Sequence, residues 1–221
     1  MSGMRNRIIV AQAVNAVVVV LEAWAIGFGI AERGAGNFVF YTQCSNALGT
    51  IACAFCLVYE ARLLINGRAD LVLPRALRWL KYAGACCQLM TFLVVVAILA
   101  PMLESIGQPG YYLMFVDGTK PITHLIGPLL VVASYILLEA DRQMTLRQSL
   151  VGLVPTLVYA AVAYPCNITR AWDGPYPFFQ VWNMQAWQSV LWFIALLVTA
   201  FALCQIPRLC ARRLNRSAVN D

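Results

Sequence analysis

Charged residues and histidine are scarce in this sequence. Only 12% of its 221 residues are charged and 61% are hydrophobic, whereas soluble domains average about 25% charged and about 45–50% apolar residues. The single histidine, His124, excludes a bis-histidine haem and leaves a zinc site poorly supplied. The composition therefore argues against a soluble globular domain, and we expect neither a metal nor another cofactor.

The hydrophobic residues fall into six long runs. A run of about 20 apolar residues matches the thickness of a bilayer's hydrocarbon core, and each run must be helical because no water is there to satisfy its backbone. The sequence thus predicts an all-α membrane bundle of six transmembrane helices in a single domain, residues 1–221. The predicted spans are 8–30, 38–64, 80–103, 123–138, 150–164 and 186–206.

Lysine and arginine are distributed unevenly over the predicted connections. The first span is too long for a signal-peptide core, so we expect it to be retained. With six spans, 13 basic residues lie on the side of the termini and 3 on the other side, Arg33, Lys120 and Arg170. The positive-inside rule then places both termini in the cytoplasm. The basic segments face anionic lipid head groups, so the net charge of +6 implies no nucleic-acid partner.

Eight cysteines are scattered along the chain. Cys53-x-x-Cys56 has the spacing of a redox or metal pair, but it lies in the middle of the second span, where cysteine is expected to act as a small packing residue. Only Cys166 falls in a predicted outer loop, so no disulfide framework is expected.

Polar residues recur at helical spacing inside three of the spans, so each set shares one face of its helix. Two interpretations stay open: small and polar residues hold membrane helices together, or they form a functional site. The sets are Gln12, Asn15 and Glu22 in the first span; Thr42, Ser45, Asn46, Gly49, Cys53, Cys56 and Glu60 in the second; and His124, Gly127, Pro128, Val131 and Tyr135 in the fourth.

Two outer connections, 104–121 and 165–185, are rich in glycine, proline and aromatic residues. They are interpreted either as an interfacial aromatic belt or as loops that fold over a site. Thr42 and His124 both lie near outer helix ends, about 6 Å and about 5 Å inside, and Glu22 lies about 12 Å inside. A hydroxyl, an imidazole and a carboxylate are the components of nucleophilic catalysis.

The motifs around these residues resemble one known family. Phe38-x-x-Tyr41-Thr42-x-x-Ser45-Asn46-x-Leu48 resembles the second-helix motif of the androgen-induced-gene and ADTRP-like membrane proteins, most closely of their bacterial six-helix relatives. Three further motifs match in family order: His124-x-x-x-Pro128-Leu129-Leu130, Pro155-x-x-x-Tyr159 and Pro175-Tyr176-Pro177-Phe178.

The resemblance implies an intramembrane threonine hydrolase that cleaves fatty acid esters of hydroxy fatty acids or similar lipid esters, in a bacterial inner membrane. Its nucleophile and base carry over onto Thr42 and His124. We expect Asn46 to donate to the oxyanion and Glu22 or Asp173 to orient His124, with Ser45 as a competing nucleophile. The candidates for a lipid gate are Tyr176, Phe178 and Phe179.

A rival interpretation is a small transporter or a non-catalytic lipid-binding protein. Intramembrane carboxylates and prolines mark transport pathways. Against transport, the polar groups are predicted to cluster toward the outer face, and Glu60 and Glu139 are expected to pair with nearby arginines. The oligomeric state does not follow from the sequence.

Overall fold

The computed structural model describes residues 2–68, 70–140, 143–172 and 174–220, with side chains between positions 5 and 214. The chain is 85% helical, and no strand occurs among the described residues. Six helices are long and apolar enough to cross a membrane, which confirms the predicted all-α architecture of six spans. They are α1 (Ser2–Arg33), α2 (Tyr41–Ile65), α3 (Arg75–Ser105), α4 (Ile122–Glu139), α5 (Leu146–Ile168) and α6 (Ala186–Asn220).

Helix α3 lies at the centre of the bundle. It packs against α2, α4, α5 and α6, while α1 packs mainly against α2 and α4. Every residue from position 81 to 88 is buried, which is the pattern of a helix that is surrounded by neighbours rather than by lipid. Helices α5 and α6 lie along one side of this four-helix core. The first eight residues of α5 pack against α6, whereas Val154–Ile168 makes almost no close backbone contact with it.

The polar face predicted for α2 is the buried face of that helix. All seven residues of the predicted stripe, from Thr42 to Glu60, are buried. Gly49 lets α3 approach closely: a Cβ atom there would lie 2.7 Å from the Gln88 amide nitrogen. The stripe therefore faces the core of the bundle.

Helix α5 is longer than predicted, because Pro165 does not end it. The helix continues to Ile168, so Cys166 lies in a helix and its predicted position in an outer loop is wrong. The Asn167 side chain donates to the Ala163 carbonyl at 2.7 Å, and the Thr169 hydroxyl donates to the Pro165 carbonyl at 2.9 Å. Both side chains thus bond to carbonyls within the last two turns of the helix.

Helix α4 begins and ends in π-helical turns, Ile122–Ile126 and Tyr135–Glu139. Such turns are rare in proteins, and those that occur often lie at functional sites. The first contains His124, and the second brings Glu139 into the core. The predicted face of α4 is buried as well, from His124 through Val131 to Tyr135.

Five of the eight cysteines are buried in the core, whereas Cys44, Cys166 and Cys210 are partly exposed. Cys53 and Cys56 are fully buried, and every cysteine is a free thiol. Among the described residues, no group of three or more histidine, cysteine or acidic side chains is arranged to hold a metal ion.

Candidate functional site

An apolar cavity lies between α2, α3, α5 and α6 at the end of the bundle where α2 begins. Its volume is about 60 Å³, below the range of about 300–1,000 Å³ that is usual for ligand pockets, so a long ligand fits only if the lining side chains move apart. Its lining comprises Tyr41, Thr42, Met90, Thr91, Val94, Val95, Leu99, Thr156, Leu157, Tyr159, Ala160, Tyr164, Tyr176, Phe178, Phe179, Phe193, Leu196 and Leu197.

The segment that follows α5 folds inward over this cavity. Tyr176, Phe178 and Phe179 are all buried. The rings of Tyr176 and Phe178 stack at 5.2 Å, and Phe178 also packs against Trp192 of α6, with ring centres 5.7 Å apart. These three aromatic residues therefore close the cavity, as the interpretation of a loop over a site requires, and do not form an interfacial belt.

Thr42 lies in the first turn of α2 and borders the cavity. Its backbone N–H is one of the donors that a helix start leaves without a partner within the helix, and it donates to the Tyr176 phenol oxygen at 3.4 Å. The same phenol lies beside the Thr42 side chain. The positive end of the α2 dipole is also here, so the position favours developing negative charge.

The Tyr176 hydroxyl group is a neutral donor at this position. Burial raises the pKa of Tyr176, and contacts with Thr42 oppose this shift only in part. Because the phenol oxygen accepts from the Thr42 backbone, its own proton is free to be donated to an atom near Thr42. Sequence reasoning assigned Tyr176 only to a gate, since its distance from Thr42 along the chain gives no sign of this contact.

Ser45, the competing nucleophile, is engaged elsewhere. Its hydroxyl donates to the Thr42 carbonyl at 2.9 Å and lies 2.7 Å from the Thr91 hydroxyl. Ser45 is not among the residues that line the cavity. Of the two hydroxyls, that of Thr42 is the one at the cavity wall.

His124 is oriented by a backbone carbonyl. Its Nδ1 lies 2.8 Å from the oxygen of Met114, which belongs to a short helix, Gly110–Phe115, in the connection between α3 and α4. A carbonyl only accepts, so Nδ1 carries a proton and Nε2 of the neutral ring has a free lone pair. This arrangement is suited to a general base.

The structure brings the start of α4 against α2 without joining the two predicted catalytic side chains. Asn46, one turn below Thr42, donates to the Thr123 carbonyl at 3.1 Å. Between the described residues Thr42 and His124 there is no hydrogen bond, and His124 does not line the apolar cavity. Asn46 does not line the cavity either. Its amide bonds to the backbone of α4 instead and holds that helix in place at this point.

Glu22 lies deeper in the core, fully buried, and contacts neither Thr42 nor His124 through a hydrogen bond. Its carboxylate lies beside the Gln88 side-chain amide, although among the described residues neither group, nor Asn46 Oδ1, forms a hydrogen bond of regular geometry. The carboxylate lies directly against Gly127, where a Cβ atom would be 1.6 Å from Oε1. Asp173, the other predicted orienting residue, lies outside the described residues.

A network of ionic and polar groups fills the core toward the opposite end. Lys81 forms a buried ion pair with Glu139, with 3.2 Å between Nζ and Oε2. Lys81 also donates to Asn15 Oδ1 and to the Cys53 sulfur, and the Asn15 amide donates to Glu139 at 2.7 Å and to Glu60 at 3.1 Å. Among the described residues Glu139 thus pairs with Lys81 and Glu60 with Asn15, and neither forms its predicted pair with an arginine.

The position of Lys81 explains this error. Helix α3 begins at Arg75, five residues earlier than predicted, so Lys81 lies in its second turn and points into the core instead of belonging to an inner connection. A signal was present: Lys81, Gly84, Gln88 and Thr91 recur at steps of three and four, which places them on one helix face.

Together these groups show that buried polar residues extend along the whole core. They run from Ser45 and Thr91 through Glu22 and Gln88 to the network around Lys81. The prediction that polar groups cluster only toward the Thr42 end is wrong, because helix α3 supplies polar groups that the sequence reasoning had left out.

Comparisons with protein-family models, with curated proteins and with solved structures find no significant match for this chain.

Proposed function

We propose that this protein is an intramembrane hydrolase of lipid esters in which Thr42 is the nucleophile and His124 the general base. The observation that supports it most is the position of Thr42: its side chain lies at the wall of an apolar cavity between membrane helices, beside a phenol donor and a helix start. An acyl chain fits the chemistry of such a cavity, and an ester carbonyl fits its polar edge. The motif resemblance to the androgen-induced-gene and ADTRP-like family supports the same assignment.

The reaction would proceed through an acyl-threonine intermediate. His124 Nε2 takes the proton of the Thr42 hydroxyl as Oγ1 attacks the ester carbonyl, and the negative charge forms on the carbonyl oxygen. The Tyr176 phenol and the start of α2 stabilise this oxyanion. His124 then returns the proton to the leaving alkoxide, and a water molecule, deprotonated by His124, releases the fatty acid.

The mechanism requires the His124 ring to approach Thr42 when substrate binds. Catalytic hydrogen bonds are often long without substrate and tighten in the Michaelis complex. The Asn46–Thr123 bond already holds the two segments side by side, so the movement involves the His124 side chain and its π-helical turn. We assign Asn46 a positioning role here instead of the oxyanion role first expected.

The test is hydrolysis of a panel of long-chain acyl esters by the purified protein in detergent micelles. Thr42→Ala should abolish turnover, and His124→Ala should lower it by about 10²–10⁴-fold, the usual contribution of a positioned base. Ser45→Ala is the matched control on the same face of α2 and should retain turnover. A folded wild-type protein that hydrolyses none of the esters, or a Thr42→Ala variant with full activity, would overturn the proposal.

Within this proposal the protein is a multi-pass protein of a bacterial inner membrane with both termini in the cytoplasm. The asymmetry of basic residues supports this orientation. The cavity end of the bundle then faces the outer leaflet, and its partners are the lipid ester and the surrounding membrane lipids.

A second candidate function, transport, gains support from the polar groups that extend along the core. Glu22 and Gln88 are fully buried beside each other, and ionisable residues within membrane helices mark ion or substrate pathways. Proteoliposomes test it: a transporter would show flux of protons or a cation that Glu22→Gln abolishes and Thr42→Ala leaves unchanged. Absence of flux in the wild type would exclude this alternative.

A further inference from the structure

A groove on the lipid-facing side of the bundle leads to the apolar cavity. It runs between α5 and α6 and is lined almost wholly by apolar side chains, and Ile168 and Val190 within it are more than half exposed. Four of its residues, Leu157, Ala160, Tyr164 and Phe193, also line the cavity. Groove and cavity are therefore separated by a wall only one side chain thick.

The backbone leaves room for a passage at this wall. Over Val154–Ile168, the part of α5 that lines the groove, α5 makes almost no close backbone contact with α6, so side chains alone fill the seam there. On the α5 side the seam carries the small residues Ala160 and Ala161. Passage of a ligand through it requires rotation of side chains, which is faster than movement of helices.

Two aromatic side chains close the seam. The rings of Tyr164 and Phe193 meet edge to face at 5.3 Å, and Tyr164 makes a second such contact with Phe179 of the covering loop at 5.2 Å. The buried Tyr164 hydroxyl lies beside the Ser189 side chain but forms no hydrogen bond of regular geometry among the described residues. A donor of this kind at the seam would be satisfied by a passing ester carbonyl.

We propose that the seam between α5 and α6 is a lateral portal through which the acyl chain of a lipid ester passes from the bilayer into the cavity, with Tyr164 and Phe193 as its gate. The portal rests on the proposed function, because it assumes that the cavity holds the acyl chain of the substrate. A long acyl chain is the occupant because groove and cavity are apolar, share four lining residues, and lie beside two membrane-spanning helices.

Photolabelling tests the portal separately from hydrolysis. The Thr42→Ala protein, which cannot consume the probe, is placed in phosphatidylcholine vesicles that contain a long-chain acyl ester with a diazirine at the end of its acyl chain. After irradiation, mass spectrometry maps the adducts. We expect adducts on Met90 and Leu196, which line the cavity but not the groove.

Variants of the seam should change this labelling in opposite directions. Ala160→Phe should lower cavity labelling about tenfold by overfilling the seam, while Val158→Phe, on a lipid-facing position of α5 that lines neither space, should leave it unchanged. Phe193→Ala removes half of the gate and should raise labelling. It tests the portal even if Ala160→Phe does not fold.

The two proposals fail in different ways. Cavity adducts that are absent, or that respond equally to Ala160→Phe and Val158→Phe, would overturn the portal even if the wild type hydrolyses esters. Cavity labelling that follows the seam variants, in a protein whose wild type hydrolyses no ester, would support the portal and overturn the hydrolase.

Discussion

At the scale of single residues, Thr42 combines an apolar neighbourhood with donors for a developing charge. A threonine hydroxyl is a weak nucleophile unless its surroundings stabilise the oxyanion that its attack creates. The Tyr176 phenol, 3.4 Å from the Thr42 backbone nitrogen, is the side chain best placed to do so. Replacing Tyr176 by phenylalanine distinguishes a catalytic role from a packing role, because the substitution removes the hydroxyl and keeps the ring.

Tyr176→Phe should lower the turnover number of ester hydrolysis by about 10²–10³-fold, the usual cost of one oxyanion donor, with a loss of stability of about 1 kcal/mol. The matched control is Tyr159→Phe, which removes another hydroxyl from the cavity lining, one that donates to the Val39 carbonyl at 2.8 Å. Steady-state kinetics and thermal unfolding measure both. Equal turnover in the two variants would remove Tyr176 from the mechanism.

The Glu22 carboxylate leaves no room for a side chain at position 127, which explains the glycine there. Gly127→Ala places a methyl group on the carboxylate oxygen of Glu22, and overpacking of this kind typically costs about 1–3 kcal/mol. In a Glu22→Ala background the same change should cost less, with a coupling energy of about 0.5–3 kcal/mol. Thermal unfolding in micelles of the four proteins of this cycle gives the value.

Gly27→Ala serves as the control for this cycle, because a Cβ atom there meets nothing within 4 Å. It should leave stability unchanged or raise it slightly, since alanine favours the helix. Purely additive effects of the Gly127 and Glu22 changes would contradict the direct contact.

At the scale of helices, amphipathic reasoning worked where a polar stripe is unbroken. The α2 stripe was predicted from spacing alone and every member is buried. The prediction failed for Lys81, which was assigned to a basic connection although it lies near a helix start. It failed for Cys166 because the fifth span was predicted to end at residue 164 and the helix continues to Ile168. The contact of Tyr176 with Thr42 joins residues 134 positions apart, and no local pattern specifies it.

Lys81 makes the clearest test of the helix packing. Lys81→Met leaves the carboxylate of Glu139 buried without its cation, which typically costs about 3–5 kcal/mol. The double variant Lys81→Met, Glu139→Leu removes both charges and should be less destabilised than Lys81→Met alone. Thermal unfolding in detergent compares them, and a Lys81→Met protein as stable as the wild type would show that this ion pair does not hold α3 against α4.

At the scale of the whole molecule, the bundle separates a polar interior from an apolar site. Helices α1 to α4 enclose the buried ionic groups, while α5 and α6 close only one side and leave an apolar cavity and a seam. Under the proposed function, a lipid ester would meet a site in the hydrocarbon region near one face of the membrane. Which face that is depends on the orientation of the chain.

Reporter fusions test the orientation. Green fluorescent protein at the C-terminus should fluoresce and alkaline phosphatase there should be inactive, because basic residues are concentrated on the side of the termini. Insertion of each reporter into the 104–121 connection should give the reverse result. Active phosphatase at the C-terminus would place the cavity at the cytoplasmic face.

Identification of the labelled residue tests the central claim most directly. The purified wild-type protein is treated with a long-chain alkyl fluorophosphonate, and the site of the covalent adduct is mapped by mass spectrometry. The account predicts a phosphonyl group on Thr42 Oγ1, lost in Thr42→Ala and strongly reduced in His124→Ala. A folded protein that carries no adduct, or carries it on Ser45 instead, would contradict it.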